Sequence, residues 1–139
     1  MRQLLVAYAG ALLALVAMDI LWLGFIARPF YEAEIGDLLL PEPNLAAAAV
    51  FYLGYGAGVV FFAVRPGQAA PSARRSAGLG ALLGAFAYGT YDLTNLATLK
   101  GFTLSVALVD MAWGVTITAI SSLAAHGAAQ IADGRKRAS

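Results

Sequence analysis

Four apolar stretches, each within about the 17 to 25 residues that a helix needs to cross a bilayer, divide this chain, and proline occurs only between them. The stretches run over 3–27, 44–64, 76–99 and 102–125, and Pro29, Pro41, Pro43, Pro66 and Pro71 fall in the connections, where a missing backbone donor costs least. With 60% hydrophobic and 12% charged residues, the chain is too apolar for an ordinary soluble domain of this length. The expectation is an all-α fold: an integral membrane four-helix bundle filling 1–139 as one domain, since no connection is long enough to separate a pair of folded units.

Orientation follows from Lys and Arg near the span ends, because cytoplasmic loops carry the excess. A cytoplasmic N-terminus gathers Arg2, Arg65, Arg74, Arg75, Arg135, Lys136 and Arg137 on the inner side and leaves Arg28 and Lys100 outside. Both termini are therefore expected in the cytoplasm, with 126–139 as a basic tail that acts as a topology signal and a weak lipid anchor. That tail does not predict nucleic-acid binding. The first stretch follows Arg2 as a signal peptide would, but it is longer than a signal core, carries Asp19 and Trp22, and lacks a clean small-residue cleavage site, so it reads as a retained helix. The chain has no cysteine, which removes disulfides, thiolate metal sites and thiol redox chemistry.

The first external connection, 28–43, interleaves Phe30, Tyr31, Ile35, Leu38 and Leu39 with acids, which predicts a short amphipathic helix starting at Pro29. Gly54 with Gly58 and Gly80 with Gly84 form GxxxG patterns, expected as seams where helix backbones approach closely. His126, the single histidine, is expected as an exposed residue at the inner end of the last helix; one histidine does not make a multi-histidine iron or zinc site.

Within these apolar segments stand three aspartates, each followed one turn later by Trp or Asn: Asp19 with Trp22, Asp92 with Asn95, Asp110 with Trp113. Insertion scales put an aspartate near the bilayer centre at roughly 2.5 to 3.5 kcal/mol, so an ionisable residue there is a functional-site hypothesis by default. Only a few residues around Gly101 join the last two stretches, which makes their helices antiparallel neighbours and brings Asp92 level with Asp110. At 1.5 Å per residue, all three aspartates fall roughly 10 to 12 Å below the outer helix ends, in one layer.

Tyr88, Asp92 and Asn95 share a helix face with Gly84, Tyr91 adjoins it, and Tyr52 and Tyr55 reach the same depth from the second stretch. Trp22 and Trp113 are expected to bracket the carboxylates from above and below. Thr90, Thr94 and Thr98 are expected to bond back to their own helix. Three ionised carboxylates in one apolar layer repel, so the layer requires protonation, donors from Trp, Tyr or Asn, pairing with an inward-reaching Arg28 or Lys100, or a bound cation. The set Asp19, Trp22, Tyr52, Tyr55, Tyr88, Tyr91, Asp92, Asn95, Asp110 and Trp113 is thus the expected ligand or proton site, with no metal expected. The competing reading makes each aspartate a helix-to-helix hydrogen-bond partner.

The stretches MDILWLGFIARPFY, VFYLGYGAGVVFFAV, GALLGAFAYGTYDLTNLATLKG and VDMAWGVT together resemble a bacterial family of predicted integral membrane proteins of unknown function, domain of unknown function 2177. The resemblance spans nearly the whole chain, and YGTYDLTN is its most distinctive run. It implies a multi-pass, four-span protein of the bacterial inner membrane, and it supplies no reaction, cofactor or catalytic residue. Genes for fatty-acid-modifying enzymes that neighbour such members favour a lipid-related role. Three functions follow as expectations. The first is binding or transport of a small cationic or lipid-like ligand, with proton coupling. The second is an enzyme or accessory subunit in membrane fatty-acid modification. The third is a structural or assembly protein. The missing GxSxG, HExxH and phosphate-loop motifs weigh against an enzyme. The bilayer is the expected partner, and a second copy of the chain is a candidate one.

Overall fold

The computed structural model describes residues 1–69 and 72–137, without the side chains of 135–137. Pro71 and the basic groups of Arg135, Lys136 and Arg137 therefore lie outside the described residues, as does the very end of the expected tail. Six α-helices make up the described chain. Helix α1, Arg2–Leu21, continues through a wide π turn at Trp22–Ile26; α2 is Arg28–Ile35, and α3, Leu45–Val59, passes through a second π turn at Val60–Val64 into α4, Arg65–Ala69. Helix α5 is Ala73–Thr98 and α6 is Leu104–Arg137.

Local chemistry sets the starts and stops. Asn44 caps α3 by accepting from the Ala47 N–H at 3.1 Å, and Ser72 caps α5 by accepting from the Arg75 N–H at 3.2 Å. Pro29 stands in the first turn of α2, as the amphipathic reading of that connection requires. The turn between α5 and α6 needs a left-handed residue, and Gly101 supplies it at φ 90°. Asn44→Ala is expected to cost about 0.5–2 kcal/mol, read as a lower thermal midpoint of the purified protein in a fixed detergent.

Two boundaries depart from expectation. Pro66 lies inside the continuous helix Leu45–Ala69 rather than after it. The π turn just ahead of it, closed by Arg65 N–H on Val60 O, gives the ring the room that an α turn would deny. Helix α6 also runs on past residue 125 to Arg137. His126 is consequently not exposed: it is 1% accessible, with the Gln130 amide donating to Nε2 at 3.0 Å and Nδ1–H left to donate to Ser76 at 2.8 Å.

Among the described residues, three helices are long and apolar enough to cross a membrane: Arg2–Ile26, Leu45–Ala69 and Leu104–Gly134. Helix α5 has the length, about 39 Å at 1.5 Å per residue, but its Gly, Tyr, Thr and Asp residues leave it outside that group. It nonetheless packs along α6 more extensively than any other pair of elements does, and α6 packs next most closely along α1. Helix α6 is thus the central element.

The interior is made of small and medium residues, among them Ala7, Ala11, Leu15, Val59 and Ile117, while large apolar side chains such as Leu13, Phe25, Val50 and Phe86 point outward. Such an inside-out distribution suits a lipid surround, where close backbone approach rather than apolar burial holds helices together. Gly80 and Gly84 do form the expected seam. A Cβ at Gly80 would stand 2.8 Å from both Ser122 Cβ and the Thr118 carbonyl oxygen, and one at Gly84 2.7 Å from the Gly114 carbonyl carbon. Gly54 and Gly58 do not, since nothing lies within 4 Å of a Cβ at either.

Candidate functional site

Asp19 sits on the inward face of α1, only 5% accessible. Its two oxygens accept from different helices: Tyr52 of α3 donates its hydroxyl at 2.8 Å, and Trp113 of α6 donates Nε1–H at 2.9 Å. The carboxylate therefore ties three helices together, and both of its lone-pair edges are met.

Asp110 is reached from the other side. Tyr31 of α2 donates its hydroxyl to Asp110 Oδ1, and Trp22 Nε1–H in turn donates to the Tyr31 oxygen at 3.3 Å. The two indoles lie face to face, centroids 4.3 Å apart and planes 8° from parallel. They do not bracket the carboxylates from above and below. Each serves the aspartate of the opposite helix instead, Trp113 directly and Trp22 through Tyr31, because stacking brings the two edges into the seam between α1 and α6. Burial first, and then the hydrogen bond to Asp110, hold the Tyr31 phenol above its ordinary pKa range, so it stays a donor.

Tyr31 belongs to this site, and the sequence reading treats it only as apolar content of a connection. A signal for it exists: Ala27, Tyr31 and Ile35 recur at one-turn spacing, and all three pack with Phe102, Val106 and Ala107 of the α5–α6 end.

Asp92 is wholly buried, and no donor reaches either of its carboxyl oxygens among the described residues. The group facing it is the Asp110 carboxyl, as the Gly101 turn and the antiparallel α5–α6 pairing require. The carboxyls thus divide into a satisfied one, Asp19, and a facing pair in which Asp110 also takes the Tyr31 phenol while Asp92 has only Asp110 opposite it.

The remaining expected residues spread outward from this centre. Tyr55 donates to Thr118 Oγ1 at 2.8 Å rather than to an aspartate; the Thr118 proton is committed to the Gly114 carbonyl at 2.7 Å. Tyr88 lies edge-on to Tyr55 at 6.4 Å and fills the space that Gly114 leaves open. Tyr91 turns outward, 58% accessible, beside Asn95 and edge-on to Phe102 at 6.3 Å. Thr90, Thr94 and Thr98 bond back to carbonyls of their own helix at 2.5 to 2.7 Å. Arg28 does not reach inward, since it pairs on the surface with Glu32 at 2.7 Å, and Lys100 borders a cleft at the outer edge of α2. Among the described residues, no three acidic or histidine groups converge as a metal site would need.

No curated protein and no solved structure matches the chain. One family does, over residues 4–126, a span that takes in all three aspartates, both tryptophans and the α2 helix that carries Tyr31. The chain therefore belongs to that family, which is described as predicted membrane protein (DUF2177).

Proposed function

We propose that this protein is a four-span protein of the bacterial inner membrane, termini in the cytoplasm, whose Asp92–Asp110 pair binds a small cationic or lipid-like ligand in exchange for a proton. The observation that carries the reading is Asp92, fully buried, with no donor at either oxygen among the described residues, and facing a second carboxyl. Two ionised carboxylates left against each other in an apolar layer cost several kcal/mol each, so the pair needs a positive partner. A shared proton is the smallest that fits, and a cationic group entering between the carboxyls would displace it. Arg2, Arg65, Arg74 and Arg75 favour the inward placement of the N-terminus. Helix α5 counts as the fourth span in this reading because its Asp92 side is covered by α6 rather than by water.

Asp19 is read differently. Its two donors make it a packing tie, and the proposed ligand does not need it.

Native mass spectrometry of gently purified protein tests the proposal. The wild type is expected to carry an added mass that both Asp92→Asn and Asp110→Asn lose. Retention of the same mass by both variants would overturn the reading.

A further inference from the structure

The α2 helix is held to the bundle by few contacts, and one of them is made to the carboxyl pair itself. Of its eight residues only Tyr31 is buried. That side chain inserts between the ends of α1 and α6, takes one Asp110 oxygen, and is braced by the Trp22 indole. A second tie joins Glu34 to Thr103, whose hydroxyl donates at 2.7 Å and which also caps α6 by accepting from the Val106 N–H at 3.2 Å. The other side of α2 is exposed, where Arg28 and Glu32 pair at the surface.

Turns that are not α-helical flank α2. Before it, Ala27 follows the Trp22–Ile26 π turn; after it come Gly36, a short 3-10 turn to Leu38, and the Pro41 and Pro43 connection. A short helix between such turns, with one side exposed and a single buried residue of its own, is an element that opens at lower free energy than the bundle unfolds. A cleft of about 470 Å³ lies beside it, bordered by Glu32, Glu34, Asp37 and Lys100, so its mouth is mainly acidic.

Asp92 faces Asp110 and has no exposed surface. Tyr31 donates to Oδ1 of Asp110 and so stands against the pair on its α2 side. We infer that α2 is a hinged gate over the Asp92–Asp110 pair, latched by the Tyr31 hydroxyl on Asp110 and the Glu34–Thr103 bond, and that cations enter from the acidic cleft beside α2. The inference rests on the proposed binding role of the pair. It adds the route and the residue that controls it. Tyr31 is a positioning residue here, since its hydroxyl sets whether Asp110 is open, and the cation charge falls on the aspartates.

Carboxyl labelling reads the gate without needing the ligand. A water-soluble carbodiimide with an amine nucleophile is applied to the intact purified protein, and amide formation at Asp92 and Asp19 is followed by peptide mass spectrometry. Tyr31→Phe is expected to raise the Asp92 rate about tenfold over wild type with Asp19 unchanged, corresponding to about 1.4 kcal/mol by the usual conversion. Because the chain has no cysteine, a short thiol cross-linker acts only on the introduced pair of Glu34→Cys with Thr103→Cys; closing it is expected to slow Asp92 labelling below wild type. An Asp92 rate that Tyr31→Phe leaves unchanged, or that rises in step with Asp19 as general loosening would produce, overturns the gate. Ligand lost from Asp92→Asn while Tyr31→Phe labels like wild type would refute the gate and keep the binding role. Ligand retained by both Asp→Asn variants while labelling responds to Tyr31 would refute the binding role and keep the gate.

Discussion

Asp92→Asn is expected to raise the thermal midpoint of the purified protein, and Asp19→Ala to lower it. The opposite signs come from the hydrogen-bond state of the two carboxyls. Asp92 has no donor among the described residues and faces Asp110; an isosteric amide gives Asp110 a permanent N–H where the acid must take up a proton to supply one. Relief of one unsatisfied buried group is worth about 1–3 kcal/mol. Asp19 is already satisfied, so truncating it strands the Tyr52 hydroxyl and the Trp113 N–H. With both donors only part-buried, a loss of about 2 kcal/mol is expected, the lower end of the range for a pair of orphaned groups. Unfolding in one detergent at one pH, with both variants beside wild type, measures this directly. If Asp92→Asn proves as destabilising as Asp19→Ala, then Asp92 is a packing residue and the proposed site loses its basis. A stabilised variant that no longer holds ligand is the expected signature of a residue kept for function at a cost in stability.

The second large effect is at the α5–α6 seam. Gly84→Ala is expected to destabilise by about 3 kcal/mol, the upper end of the range for overpacking. Its new Cβ would meet the Gly114 carbonyl carbon at 2.7 Å and stand closer still to the carbonyl oxygen. These are backbone atoms of the facing helix, so the contact is relieved only by moving α5 off α6, which also disturbs Asp92 against Asp110. Gly54→Ala is the matched control. Nothing lies within 4 Å of its Cβ, and replacing an interior helical glycine favours the helix by up to about 1 kcal/mol. Thermal midpoints should therefore fall sharply for Gly84→Ala and hold or rise for Gly54→Ala. Equal behaviour of the two would mean that the seam is not where α5 and α6 touch.

These contrasts separate what is readable along the chain from what is not. Helix positions are legible because apolar runs, capping residues and Gly101 act over a few neighbouring positions. The facing of Asp92 and Asp110 is legible too, since a short turn between antiparallel helices sets equal sequence distances opposite each other. The partner of each group is not. Gly54–Gly58 and Gly80–Gly84 are the same motif, yet only the second meets another helix. His126 stands where the apolar run gives out, yet α6 continues past it and Ser76 of α5 closes over its ring.

The sequence alone determined an all-helical, membrane-suited chain with three costly carboxyls within its helices, because hydropathy and helical geometry are local or additive along the chain. Tertiary structure alone decided that Asp19 is satisfied by two helices, that Trp22 and Trp113 serve opposite partners, that Tyr31 is inserted from a connection, and that Asp92 is left without a donor. The physical reason is that a hydrogen bond depends on ångström distances and direction between groups as much as 94 residues apart. Helix rotation and lateral placement set those distances, and neither is encoded in the spacing of residues along one helix.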